Sequence, residues 1–139
     1  MLNRVDVHNN ETLNVQVQSH DHKSYLIEIS KDCTKLDLTV ECLESSFSKF
    51  FILNHAQNAC ELNINMVLKQ DANCQMGVLD LEKSPLKWTH YVDLQEQGAE
   101  YEILSGQLCQ EHIEKVCDME VRHNAPHTNG QMKNFAVLF

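Results

Sequence analysis

Hydrophobic residues recur at every second position in five segments of the chain. In the first segment, Leu13, Val15 and Val17 alternate with Asn14 and Gln16. The other alternating segments are residues 36–42, 62–68, 86–94 and 117–123. Side chains on a β-strand point alternately to its two faces, so each segment predicts a strand with one buried side. The pattern therefore predicts an all-β protein.

Two segments lack a clear alternation. Residues 43–58 show no period of two and predict either a short helix or a loop. Residues 108–117 carry Leu108, Ile113 and Val116 at roughly helical spacing, so a helix is an alternative to strand structure there.

Three corner-like segments repeat along the chain at nearly equal intervals. They are Asp71-Ala72-Asn73, Gln97-Gly98-Ala99-Glu100 and Asn124-Ala125-Pro126. Short strands at regular spacing indicate a sandwich or a solenoid, and a small-residue corner that recurs in this way favours a solenoid. Each coil is predicted to hold two or three strands. The sequence predicts one domain over residues 1–139, with a less regular entry segment at 1–58 and regular coils at 59–139.

Composition agrees with one folded domain and disfavours several kinds of partner. The chain has 139 residues, of which 42% are hydrophobic, enough for a core. Eleven Lys and Arg residues stand against 20 Asp and Glu residues, which gives a formal net charge of −9. Such a chain lacks the clustered cations that neutralise phosphate, so we expect neither nucleic acid nor a membrane surface as a partner.

No segment of the sequence predicts export or a membrane span. The N-terminus has no basic head followed by an apolar run, and no stretch of about 18 apolar residues occurs. The six cysteines never form a C-x-x-C pair. Without an export signal, we expect reduced thiols and a cytoplasmic location.

A group of cysteine and histidine residues in the second half is the strongest candidate for metal binding. Thiolate and imidazole groups bind zinc and iron, and thiolate is the usual ligand of iron–sulfur clusters. The spacings match no recognised zinc or ferredoxin pattern, and cysteine also packs as a small hydrophobic residue. Core packing therefore stays open as the alternative to an Fe–S cluster, Fe or Zn. The candidates are Cys109, His112, Cys117, His123 and His127.

The sequence contains no recognisable catalytic motif. A G-x-S-x-G elbow, a P-loop and a G-x-G-x-x-G loop are all missing, and the chain has four glycines. Pro126 argues against a helix that would pair His123 with His127, and His90 continues an inward row beside Trp88. We therefore predict a protein that is not an enzyme. A solenoid acting on polysaccharide ranks last, because acidic residues do not recur at the coil spacing.

Residues from about Leu86 to Phe139 resemble the core domain shared by SufB and SufD, which are scaffold proteins of the SUF system of iron–sulfur cluster assembly. One corner, His123-Asn124-Ala125-Pro126-His127-Thr128, is similar to the family's His-x-Ala-Pro-x-Thr stretch. Asn129-Gly130 stands where the family usually has a serine. The three segments that carry the resemblance are residues 92–100, 102–106 and 121–133.

The resemblance implies a right-handed parallel β-helix with a scaffold role in cluster assembly. It also implies a SufB- or SufD-like protein and a SUF-type ATPase as partners. The family's cluster-assembling residue lies beyond the point that corresponds to Phe139, so no such residue is carried over. The chain is thus similar to a short or truncated SufD-related protein.

The last predicted strand, residues 134–139, is strongly apolar and has no charged cap. Solenoids need polar terminal coils, and a bare terminal strand offers unpaired backbone groups and apolar area. We expect a second copy in a homodimer, or a SufB- or SufD-like partner, to cover this coil. The predicted interface residues are Phe135, Val137, Leu138 and Phe139.

Overall fold

The computed structural model describes residues 2–138, and the side chains of residues 2–136. These residues form eleven β-strands, and no helix occurs among them. The strands are β1 (Leu2–Val7), β2 (Asn10–Val17), β3 (His22–Ile29), β4 (Lys35–Cys42), β5 (Phe47–Asn54), β6 (Cys60–Leu68), β7 (Asn73–Asp80), β8 (Leu86–Leu94), β9 (Glu100–Cys109), β10 (Lys115–His123) and β11 (Asn129–Leu138). Accordingly, this part of the chain has no helix with the length and apolar character needed to cross a membrane.

The strands alternate between two parallel sheets. The odd-numbered strands form sheet A, with six strands in the order β1-β3-β5-β7-β9-β11, and the even-numbered strands form sheet B, with five. Each coil of the chain therefore adds one strand to each sheet. The result is a β-solenoid of about five turns, which confirms the predicted all-β, parallel β-helical fold.

The interval between the first two predicted corners is the length of a coil. In sheet A, Asn54 pairs with Asp80 and Asn73 pairs with Glu100, and each of these pairs is separated by one full coil. In sheet B, Asp37 pairs with Asn63 across the same interval. A coil holds two strands, at the lower end of the predicted range. The last coil is longer, because Glu100 pairs with Asn129, so Ala99 is equivalent to Thr128 and not to Ala125 of the third predicted corner.

The expectation of a helix or loop at residues 43–58 was wrong for the middle half of this segment, which forms β5 and pairs with β3 and β7. Its inner side chains, which point between the two sheets, include polar Ser48 and Asn54, both buried. Its outer side chains include apolar Phe51, which is 49% exposed. This mixture on both faces hides the alternation from the sequence.

The alternative of a helix at residues 108–117 was also wrong. β9 continues to Cys109, a short turn follows, and β10 begins at Lys115.

Pairing is continuous across residue 58, since β4 pairs with β6 and β5 pairs with β7. The entry segment differs from the later coils in burial, because several inner side chains of β1 and β2 on the first coil are only half-buried.

The core lies between the two sheets and extends from the first coil to β9, whereas no apolar side chain described on β10 and β11 is fully buried. Inner side chains from adjacent coils stack on one another, since parallel pairing keeps every coil in register. Fully buried side chains of this kind each contribute roughly 1.5–3 kcal/mol relative to exposure. The largest are Trp88, Phe50, Ile27, Ile29, Leu36, Leu38, Ile52, Leu62, Ile64, Met66, Leu68 and Leu94.

A left-handed backbone residue marks every corner that leads from sheet B to sheet A. These residues have φ between 55° and 80° and are His20, Ser45, Asp71, Gly98 and His127. The corners stack through backbone hydrogen bonds, for example from the Asp71 N–H to the Gln97 carbonyl at 3.0 Å. Ala72 and Ala99 follow the left-handed residue and are fully buried, which explains the first two small-residue corners in the sequence.

We expect Gly98→Ala to lower the free energy of unfolding by about 1–2 kcal/mol, measured by urea denaturation. Gly98 has φ of 80°, and an added Cβ would collide with the Asp71 carboxylate oxygen. Asp71→Gly provides the matched background, because it removes the collision and leaves the backbone strain at position 98. Gly98→Ala should therefore cost less in that background, and an equal or zero loss in both would contradict this account.

Candidate functional site

The five predicted metal ligands do not converge. Cys109 ends β9 in sheet A, whereas Cys117 lies on β10 in sheet B. His112 lies in the turn between them with φ of 66°, and 89% of its side chain is exposed. Among residues 2–138, no three His, Cys, Asp or Glu side chains are grouped so that they could hold a metal ion.

The two histidines near Pro126 have separate local roles. His123 Nδ1 lies 2.7 Å from the Thr128 hydroxyl oxygen, so this ring is hydrogen-bonded beside the corner. His127 supplies the left-handed residue of the same corner, with φ of 58°. Cys117 and His123 pair with Trp88 and Leu94, so they continue an inner row as the sequence predicts, yet both are exposed on this last coil of sheet B.

Four of the six cysteines are buried in the core, where packing is their evident role: Cys33, Cys42, Cys60 and Cys74. Burial raises the pKa of the Cys60 thiol to about 12, so this group stays protonated and unreactive at neutral pH. Cys109 is half-buried and Cys117 is exposed. The core-packing alternative therefore describes four of the six cysteines.

A hydrogen-bonded chain of rings crosses the interior between β8 and β9. Trp88 Nε1–H donates to His90 Nδ1 at 3.3 Å, and His90 Nε2 lies 2.6 Å from the Tyr101 hydroxyl oxygen. All three side chains are buried. Desolvation lowers the pKa of His90 to about 3, so the ring is neutral at pH 7. Because indole N–H can only donate, the single ring proton sits on Nε2 and points to Tyr101. This chain is enclosed and stabilises the core.

A buried ion pair joins the end of β7 to the start of β10, and the sequence did not indicate it. Lys115 Nζ lies 2.6 Å from Asp80 Oδ2, with 3% and 0% of the two side chains exposed. Asn54 Nδ2 donates to Asp80 Oδ1 at 3.1 Å, and Lys115 also donates to the Glu82 carbonyl. The partners stand 35 residues apart, so only the register of the coils reveals the contact.

The outer surface of sheet B is polar. Its largest groove, of about 400 Å³, is lined by Tyr91, Asp93, Glu120 and Arg122 among others. Arg122 Nε donates to Glu120 Oε1 at 2.9 Å, so the groove contains a carboxylate that is already paired with a cation. This face presents charges and amides to solvent.

The outer surface of sheet A carries an apolar face, defined by Phe51, Gly77, Leu79, Leu104, Gly106 and Phe135. Phe51, Leu104 and Phe135 are 49%, 49% and 62% exposed. The alternation of apolar and polar residues did not reveal this face, although Gly77 pairs with Phe51 on one side and with Leu104 on the other, each one coil away. Applying the coil spacing to the outward positions would have found it.

The predicted interface residues fall partly on this face. Phe135 pairs with Gly106 and points outward from sheet A. Its side chain therefore lies on the lateral surface of the solenoid and not on the open end of the last coil. Val137 and Leu138 belong to β11, and their side chains lie outside the described part of the chain, as does all of Phe139. Coverage of the last coil by another chain stays a prediction.

These features define a small parallel β-solenoid whose two outer faces differ, one polar and one apolar. No protein-family model, no curated protein and no solved structure matches the chain. Its chemistry must therefore be argued from its own residues.

Proposed function

We propose that the protein is a SufD-related scaffold that acts in iron–sulfur cluster assembly by binding other proteins, without catalysing a reaction itself. The observation that carries this proposal is the exposed apolar face on a regular solenoid. Apolar patches rimmed by polar residues are typical of protein-binding surfaces. A stack of paired strands holds such a surface in a fixed shape, which a scaffold requires.

The placement of the two corner motifs supports the link to SufB and SufD. Gln97-Gly98-Ala99-Glu100 connects β8 to β9, and the corner at residues 123–128 connects β10 to β11. Both are corners of the same type on successive coils, each with one left-handed residue, Gly98 or His127. The two segments that carry the resemblance thus lie at the same kind of corner, although Ala99 is equivalent to Thr128 and not to Ala125. Fold alone does not define function, so the SUF assignment depends on these motifs.

The burial of the polar groups in the interior favours a binding role over a catalytic one. His90, Tyr101 and the Asp80–Lys115 pair are buried and are hydrogen-bonded to other buried groups. Groups enclosed in this way hold the coils together and do not reach a substrate. Function is therefore assigned to the outer surface.

The test is binding of the purified chain to a SufB-like protein and to a SUF-type ATPase, measured by isothermal titration calorimetry. We expect a complex with at least one of them at micromolar affinity, which corresponds to about 8 kcal/mol. An unrelated β-solenoid protein of similar net charge serves as the control. Absence of binding to both proteins at about 100 μM would contradict the proposal.

Metal analysis of the same protein, purified without oxygen, tests the competing hypothesis of a metal- or cluster-binding module. The scaffold proposal expects iron and zinc below one equivalent per chain. Stoichiometric metal that is lost in a Cys109→Ser/Cys117→Ser variant would favour the module instead.

A further inference from the structure

We propose that the apolar face of sheet A is the interface of a homodimer, in which a second copy packs face to face about a two-fold axis along β7. This interface lies on the lateral surface of the solenoid and not on the open end of the last coil, although Phe135 of the last coil belongs to it. The proposal does not depend on the SUF assignment.

Register places the outward side chains of sheet A in rows that run across the strands. Parallel pairing in sheet A aligns each outward residue with one on the next strand. One row contains Leu26, Phe51, Gly77, Leu104 and Lys133. The next contains Glu28, Leu53, Leu79, Gly106 and Phe135. Apolar residues and glycines fill the centre of both rows, and each row has one charged end, at Lys133 in the first and at Glu28 in the second.

The surface of the face has both protruding side chains and shallow grooves. A Cβ at Gly77 would lie 3.0 Å from the Phe51 ring, so this ring leans over the glycine. Leu79 covers Gly106 in the same way, at 3.2 Å. Shallow grooves of about 230 and 190 Å³ lie on the two sides of Phe51 and Leu104. A surface that carries both projections and grooves can be complementary to itself, as a two-fold interface requires.

The charges on the face favour a second copy as the partner and define the position of the two-fold axis. Lys49 on β5 and Glu102 on β9 lie in one row, on opposite sides of Gln75 on β7. A two-fold axis along β7 exchanges β5 and β9, so Lys49 of each copy faces Glu102 of the other. The same rotation places Phe51 opposite Leu104 and Leu53 opposite Gly106. Opposite charges that flank an apolar centre in this way fix orientation as well as partner.

The area of the face matches a stable dimer. A two-fold axis along β7 overlaps the five strands from β3 to β11. At about 4.8 Å spacing and about eight residues each, they span on the order of 630 Å². Standard interfaces bury about 600–1,000 Å² on each partner, with an apolar centre and a polar rim, so this area lies at the lower end of that range. Two twisted sheets pack in this manner about 10 Å apart. The face therefore has both the size and the composition that dimerisation needs.

Sedimentation equilibrium of the full chain tests the proposal. We expect a mass twice that of the 16.0 kDa chain at micromolar concentration. Leu104→Lys should weaken dimerisation at least about 30-fold, because it places a charge at the centre of the interface. Tyr91→Lys is the matched control, since Tyr91 is 40% exposed on the other sheet, and it should leave the dimer intact. Circular dichroism confirms that both variants are folded.

A charge exchange tests the axis. Lys49→Glu and Glu102→Lys should each weaken the dimer, and the double variant should restore it, because the two-fold axis pairs these residues. A monomer at about 100 μM would overturn the proposal, and so would a dimer that Leu104→Lys leaves unchanged. Failure of the double variant to recover would overturn the placement of the axis along β7. None of these results involves a SUF protein, so they are independent of the proposed function.

Discussion

Lys115→Met is expected to lower the free energy of unfolding by about 3–5 kcal/mol. The ammonium group of Lys115 lies 2.6 Å from the Asp80 carboxylate, and neither side chain is more than 3% exposed. Without Lys115, the Asp80 charge stays buried with hydrogen bonds from Asn54 and from the Glu82 N–H alone. The cost is large because a buried charge loses its compensating partner. Urea denaturation at neutral pH measures the effect.

Two further variants show whether burial causes this loss. Lys35→Met removes a lysine that also begins a strand, but its side chain is 40% exposed and its carboxylate partners lie at 3.5 and 3.7 Å. We expect it to cost less than about 1 kcal/mol. Lys115→Met/Asp80→Asn removes the unpaired charge and should be more stable than Lys115→Met. Equal losses in both lysine variants would contradict the buried-pair account.

The length of the coil between Asp71 and Gly98 could be predicted from sequence because these corners are chemically demanding, whereas the greater length of the last coil, in which Glu100 pairs with Asn129, could not. Gly98 has φ of 80° and Asp71 has φ of 55°, values that favour glycine and short polar residues. The buried alanines that follow, Ala72 and Ala99, leave no room for larger side chains. Such positions repeat once a coil, so the solenoid period appears in the sequence even though the strands themselves vary.

Strand β5 escaped prediction because hydrogen bonding replaces hydrophobicity at its inner positions. Ser48 lies 3.6 Å from the Cys42 sulfur, and Asn54 donates to Asp80 and accepts from the Ala56 N–H. Polar side chains that are paired in this way tolerate burial. Period-two analysis counts them as exposed and therefore misses the strand.

The predicted metal ligands show that residues close in sequence need not be close to one another in this fold. Cys109 and Cys117 are close in sequence, yet the chain crosses from sheet A to sheet B between them. Residues one coil apart are neighbours in a solenoid, as Phe51, Gly77 and Leu104 are on the apolar face. Candidate sites in such folds are better sought at the coil spacing than within short segments.

Acidification is expected to destabilise the protein through His90. Burial lowers the pKa of His90 to about 3 in the folded protein, whereas an unfolded histidine has a pKa of about 6.5. Between these values the unfolded chain is protonated and the folded protein is not. Stability is therefore complete above about pH 6.5 and falls by about 1.4 kcal/mol per pH unit below it. From pH 7 to pH 4.5 the loss from this one group is about 2–3 kcal/mol.

The geometry explains why the folded protein resists protonation. A second ring proton would sit on Nδ1 and face the Trp88 N–H, which donates to that atom at 3.3 Å. Protonation thus breaks a buried hydrogen bond as well as burying a charge. His90→Gln keeps one acceptor and one donor and cannot titrate, so its stability should fall less steeply than that of the native protein. His55→Gln, at an exposed histidine, should keep the native slope. Equal slopes for the native protein and His90→Gln would show that protonation of His90 does not drive the loss.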